Sequence, residues 1–223
     1  MAERSSYAVL SPVQGVLSTN KVLRNTYALL SMTLLFSALT AGVAVVTHAP
    51  PLHWIVVLAG FFGLFFLTAR LSNSAWGLAA VFALTGFMGY TLGPILSLYL
   101  ALPNGPQIVM TALGGTGAIF LGLSGYALVT RKDFSFMGGF LMVGLLVIIL
   151  AMIANIFLAI PALTMTLSAV VVLLMSGFIL YDTSRIVNGG ETNYIMATVA
   201  LYINIYNLFI SLLQLLGIFG GDD

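Results

Sequence analysis

Residues 194–217 read YIMATVALYINIYNLFISLLQLLG, an uncharged and mostly apolar run. At about 1.5 Å per residue a helix of this length crosses the roughly 30 Å of hydrocarbon in a bilayer. Ala197, Ala200, Asn204, Asn207, Ser211 and Gln214 recur at alternating spacings of three and four, which places them on one helix face. The other faces carry Leu, Ile, Phe and Tyr. Amides facing lipid are costly, so this stripe is expected to face a bundle interior or a water-filled path. Interhelical amide bonds and a conducting path both suit it, and the stripe locates an interior without identifying a function.

The rest of the chain has the same character. It is 61% hydrophobic and only 6% charged over 223 residues, with a mean hydropathy of +1.13. A soluble domain carries about a quarter charged residues, so that class is excluded. The alternating strands of roughly ten residues that a membrane β-barrel needs are not visible. The expectation is an all-α polytopic membrane protein with seven transmembrane helices. Its spans are placed at Tyr27 to Val46, His53 to Ala69, Ala75 to Leu100, Ile108 to Val129, Phe136 to Ile160, Ala162 to Asp182 and Tyr194 to Ile218.

Turn chemistry separates them: HAPPLH (48–53), LSNS (71–74), LPNGP (102–106), RKD (131–133), IPA (160–162) and NGGETN (188–193). Pro94 is expected to kink the third span. Connections this short leave no room for a soluble domain, and no internal repeat is visible. The chain divides into a flexible cytoplasmic arm (1–22), the membrane domain (23–219) and a short acidic outer tail (220–223). The polar start of the arm does not suit a secretory signal, so the first span reads as a retained signal-anchor.

Lys and Arg set orientation. Arg4, Lys21 and Arg24 precede span one, Arg70 follows span two, Arg131 and Lys132 follow span four, and Arg185 follows span six, so all seven basic residues fall on one side. The amino terminus is expected in the cytoplasm and the Asp222/Asp223 tail outside. The basic residues are accounted for by this topology, and no nucleic-acid partner is expected.

Several motifs invite chemistry and fail a physical test. The run ALGGTGAIFLGLSGY (112–126) lacks the GK[ST] of a phosphate loop and lies inside a span. Gly114, Ala118 and Gly122 recur every four residues, and Gly89 with Gly93 repeats the spacing in span three. Small residues at that spacing let membrane helices approach closely, so helix packing is the expectation for both. GLSG (122–125) fits the serine motif of rhomboid proteases, but a histidine must follow on a later helix to accept the proton and none occurs after His53. Ser124 is therefore read as a polar packing residue. Tyr181–Asp182 resembles half of an intramembrane aspartyl protease site, but span seven supplies no second acid. The chain has no cysteine, and His48 and His53 are too few for chelation. No cofactor, metal or enzymatic activity is expected.

Asp182 remains, at the end of an otherwise apolar span. An ionisable residue within a span is costly unless paired or hydrated, which makes it a functional candidate. Arg185, one turn on, and Arg70, at the end of span two, are its candidate counter-ions.

The passage YDTSRIVNGGETNYIMATVALYINIYNLFISLL (181–213), with STNKVLRNTYALLS (18–31), GYTLGPIL (89–96), TRKDFSFMGG (130–139) and NIFL (155–158), resembles the bacterial YccA branch of the Bax-inhibitor family. The likeness runs from about Leu17 to Gly217. It implies six helices around a central seventh, in the bacterial inner membrane. It also implies two roles: a pH-tuned leak for calcium or other cations, and association with the membrane AAA protease FtsH. In leak-forming relatives the sensor is an aspartate pair on helices six and seven with an arginine of helix two. Asp182 matches the first aspartate and Arg70 the arginine, whereas Asn204 stands in place of the second aspartate.

That replacement changes the physics. Two facing carboxylates titrate as a coupled switch, whereas Asn204 never ionises and can only donate its NH2 to Asp182. A pH-gated leak is therefore expected to be weakened or absent. Span lengths place Asp182 one turn from Arg185 but Asn204 roughly three turns into span seven. The two meet only if helix six runs further than drawn or helix seven begins further out. For the protease role, the polar arm is long enough when extended, at roughly 60 to 70 Å, to be engaged by a AAA pore.

Overall fold

Seven helices form because long apolar runs satisfy their own backbone hydrogen bonds in a solvent that cannot. The computed structural model describes the backbone of residues 12–220, with side chains from Lys21 onward. The helices are α1 (Pro12–Val46), α2 (Trp54–Leu71), α3 (Trp76–Leu100), α4 (Gly105–Thr130), α5 (Met137–Leu158), α6 (Pro161–Val187) and α7 (Tyr194–Gly220). Each contains a segment long and apolar enough to cross a membrane. The protein is a seven-helix membrane protein, and the expected spans match these helices to within a few residues at most ends.

Two ends differ in a way that matters. α1 begins at Pro12, so residues 12–22, expected within the arm, are helical, with proline in the first turn where its missing N–H costs nothing. Its 35 residues make a helix about 52 Å long, well beyond the hydrocarbon thickness. Residues 1–11 and the Asp222/Asp223 tail lie outside the described residues. α6 continues past Asp182 to Val187 and stops at a glycine turn. There Gly189 adopts φ 77°, the Gly190 N–H donates to the Arg185 carbonyl (2.8 Å), and the Gly189 N–H donates to that of Ile186 (3.4 Å). This left-handed cap absorbs the last carbonyls of the helix, and glycine takes the conformation without a Cβ penalty. Asn193 then starts α7, its Oδ1 accepting from the N–H groups of Ile195 (3.0 Å) and Met196 (3.1 Å).

α7 lies in the middle, packed against α1, α3, α4 and α6. α2 joins the bundle through α3, and α5 through α6, so the surrounding six are not equivalent. The core has two parts. One gathers Leu30, Leu84, Ile179, Leu201 and Leu208, and the other Ala41, Leu92, Ile108, Phe209 and Leu213. α3 continues as helix through Pro94. Loop contacts close the ends. Asn193 Nδ2 donates to Asn73 Oδ1 (3.0 Å), and at the other end Asn104 Nδ2 donates to the Gly220 carbonyl.

The small-residue stripes part company. Gly89 and Gly93 lie against α1, where an added Cβ would strike the Ser37 backbone or Ala44, and the close approach requires glycine at both positions. The expectation that Gly114, Ala118 and Gly122 pack in the same way is corrected here. Ala118 is exposed, and a Cβ on Gly114 or Gly122 would meet nothing within 4 Å. The reason lies in the opposite face of α4, where Ile108, Ala112, Thr116, Ser124 and Ala127 are buried. Those residues carry the packing, and the glycines are left on the outside.

Candidate functional site

The polar stripe of α7 is where the sequence placed it, turned inward. Ala197, Asn204 and Ser211 are buried, and Asn207 and Gln214 are half-buried. Asn204 Nδ2 donates to Asp182 Oδ2 at 2.7 Å, so the pairing inferred from resemblance is a direct hydrogen bond between α7 and α6. The five extra residues of α6 remove part of the length mismatch, because Asp182 sits about 7 Å from the end of its helix instead of at it. A carboxylate within a bundle needs donors, and the Asn204 amide supplies one without supplying charge.

The expected counter-ions are elsewhere. Arg185 makes no salt bridge to Asp182. Its Nη2 lies 3.8 Å from Glu191 Oε2 and donates to the Gly190 carbonyl at 3.2 Å, and its guanidinium carbon stands 5.7 Å from the centre of the Tyr181 ring. Arg70 is exposed in the last turn of α2 and packs with that helix on α3. Among the described residues the Arg185–Glu191 contact is the one ion pair, and neither arginine bridges to Asp182.

Next to Asp182 a small hydroxyl cluster joins three helices. Thr183 Oγ1 lies 3.1 Å from Ser124 Oγ of α4 and 3.5 Å from the Tyr27 hydroxyl of α1. Ser124 is thus a packing residue, as its lack of a catalytic base suggested. Further out along α7, Asn207 Nδ2 turns back to the Ile203 carbonyl of its own helix (2.9 Å). Gln214 Oε1 accepts from Ser168 Oγ of α6 (2.9 Å) at the mouth of a cavity that Asn155 and Thr164 also line. The stripe therefore makes two rungs to α6, one acidic and one neutral, and Asn207 between them bonds its own helix.

One polar centre escaped sequence reading. The Tyr202 hydroxyl is buried between Ser37 Oγ (2.6 Å) and the Thr85 carbonyl (3.2 Å), tying α7 to α1 and α3. Tyrosine in an apolar span reads as a lipid-facing or interfacial residue. Tyr202 lies two residues from Ala200 and Asn204, on the face of α7 opposite the polar stripe, so the stripe gave no signal of it.

Chemically, this arrangement offers one acid, one amide and several hydroxyls in a row through the bundle, with no nucleophile–base pair and, among the described residues, no cluster of metal ligands. Its hydrogen bonds join α7 to α6 and α6 to α4 and α1.

Comparison with known proteins finds relatives over nearly the whole chain. Residues 19–221 match the family described as "Inhibitor of apoptosis-promoting Bax1". An uncharacterised protein of Pseudomonas aeruginosa is 53% identical over 221 residues, covering 99% of this chain and all of that one. The Escherichia coli K12 protein named "Modulator of FtsH protease YccA" is 54% identical over 208 residues, 93% of this chain and 94% of the relative. A membrane protein of Vibrio cholerae is 49% identical over 214 residues, 96% of each chain. With nearly the whole membrane domain matched at this level, the chain belongs to the Bax-inhibitor family.

Proposed function

We propose that this protein is a non-enzymatic inner-membrane component that modulates the AAA protease FtsH or is handled by it as a client. The observation that carries the reading is the 54% identity, over nearly all of both chains, to the E. coli relative whose name states that role. The membrane domain suits a regulator more than a catalyst, because Asp182, Asn204, Ser124, Thr183, Ser37 and Tyr202 are engaged in hydrogen bonds between helices. The positive-inside rule places the amino terminus in the cytoplasm, on the side where a AAA ATPase works, and the carboxyl terminus in the periplasm. The test is co-purification of the full chain with FtsH, together with the lifetime of the chain in cells with and without the protease. A chain that neither binds FtsH nor changes lifetime removes this function. Deleting residues 2–16 asks separately whether the arm is the handle.

A second reading is favoured by the Asp182–Asn204 bond: a pH-sensitive leak for calcium or other cations, weakened because the amide cannot ionise. Calcium flux in proteoliposomes of the protein alone decides it. Low and nearly pH-independent flux is expected for the wild type, with pH-dependent flux appearing in Asn204→Asp. A steep pH-dependent wild-type flux overturns the weakening.

A further inference from the structure

The α4–α5 corner has no place in either reading, and it is built as a recognition surface. α4 ends at Arg131, and the chain then runs Lys132, Asp133, Phe134, Ser135 and Phe136 before α5. Arg131 and Lys132 are both exposed. The acid that follows them makes no ion pair with either, and Asp133 Oδ1 accepts from the Ser135 N–H at 2.8 Å. The Ser135 hydroxyl and, after it, the Ser135 N–H hold the Asp133 carboxyl below the usual carboxylate range.

The corner is held by its neighbour. The Lys132 carbonyl accepts from Ser184 Oγ (3.0 Å) and Asn188 Nδ2 (3.3 Å), and the Phe134 N–H donates to Ser184 Oγ (3.0 Å). All three bonds come from the end of α6, and they fix the backbone while leaving the two cationic side chains free. Below the cations, rings line up at the level where helix gives way to loop. Tyr126 and Phe134 have centroids 6.1 Å apart, and Phe134 and Phe136 6.4 Å. Phe136 is 80% exposed, and nothing in the fold covers it.

We propose that this corner binds an anionic phospholipid of the cytoplasmic leaflet, its phosphate between Arg131 and Lys132 and its acyl chains along Phe136 and the outer face of α5. Charge complementarity selects the headgroup, since each basic residue near an anionic surface favours it by about fivefold. Continuity selects a lipid over a soluble anion, because the cations sit directly above an exposed aromatic and aliphatic face that lipid must cover in any case. The loop is bound to the same stretch of α6 that holds Asp182, so the bound lipid would sense the position of that helix end.

The chain has no cysteine of its own, which permits a single probe. Gly139→Cys places one on the first turn of α5, where an added Cβ meets nothing within 4 Å. The purified full chain, labelled there with a fluorophore, is reconstituted in phosphatidylcholine vesicles containing a quencher-bearing phosphatidylglycerol or phosphatidylcholine at equal mole fraction. Phosphatidylglycerol is expected to occupy the site at least about fivefold more readily, and the preference to fall towards one in Arg131→Gln/Lys132→Gln and survive in Arg131→Lys. Circular dichroism of each variant checks that it is folded. Equal quenching by the two lipids in the wild type would overturn the proposal and leave the cations to an acidic protein surface. So would a preference that persists in the folded double variant, or one abolished by inorganic phosphate but not by chloride at equal ionic strength.

Discussion

Gly89 and Gly93 of α3 lie under α1, where a Cβ on Gly89 would run into the Ser37 carbonyl oxygen, whereas Gly114 and Gly122 of α4, with Ala118 midway between them completing a four-residue repeat, face nothing within 4 Å. The residue pattern is shared and the physical role is not. On α3 the absence of a side chain sets the distance between two backbones. On α4 it leaves open space that no other helix fills. A small-residue stripe thus says that a face can be approached closely, and only the packing of the remaining faces says whether anything in the same chain does so.

Substitution tests that contrast directly. Gly89→Val is expected to have the largest effect, destabilising the bundle by about 3 kcal/mol, because the obstruction is backbone that cannot swing away. Its midpoint in detergent-induced unfolding followed by circular dichroism is the measurement, and a wild-type midpoint would break the α1–α3 side of the comparison. Tyr202→Phe should cost less, roughly 1.5 kcal/mol. It keeps the ring and strands the Ser37 hydroxyl and Thr85 carbonyl of the same α1–α3 seam. Restoration by Ser37→Ala in the same chain would show that the loss came from the unpaired hydroxyl. Gly114→Val is expected to be nearly silent, within about 0.5 kcal/mol, since it adds atoms to an open surface. A large loss there would mean that α4 is covered by something other than lipid.

The architecture was legible because in a membrane the apolar runs are the structure, and turn residues bound them within a few positions. α6 was drawn short because Asp182 looked like the end of a span. Thr183, Ser184 and Ile186 are buried beyond it, and the true stop is Gly189. The Asp182–Asn204 bond was reached by resemblance, since the drawn lengths argued against it. The choice of partner for Arg185 was not legible at all. Asp182, Glu191 and the Tyr181 ring are all within reach along the sequence, and only the turn after α6 brings Glu191 and the Gly190 carbonyl to the guanidinium. Tyr202 was missed for a similar reason, because its partners come from α1 and α3, far away in sequence.

The central position of α7 has a consequence for how the molecule is made. It is the last of the seven helices to leave the ribosome, yet it contributes to both parts of the core. The four helices that α7 packs against, α1, α3, α4 and α6, must therefore enter the bilayer before their shared partner is available. α7 must then be released from the insertion machinery with Asn204, Asn207 and Gln214 still unpaired. Completion of the bundle is a late, post-insertion event, and a chain cut short before Tyr194 loses its core instead of an edge.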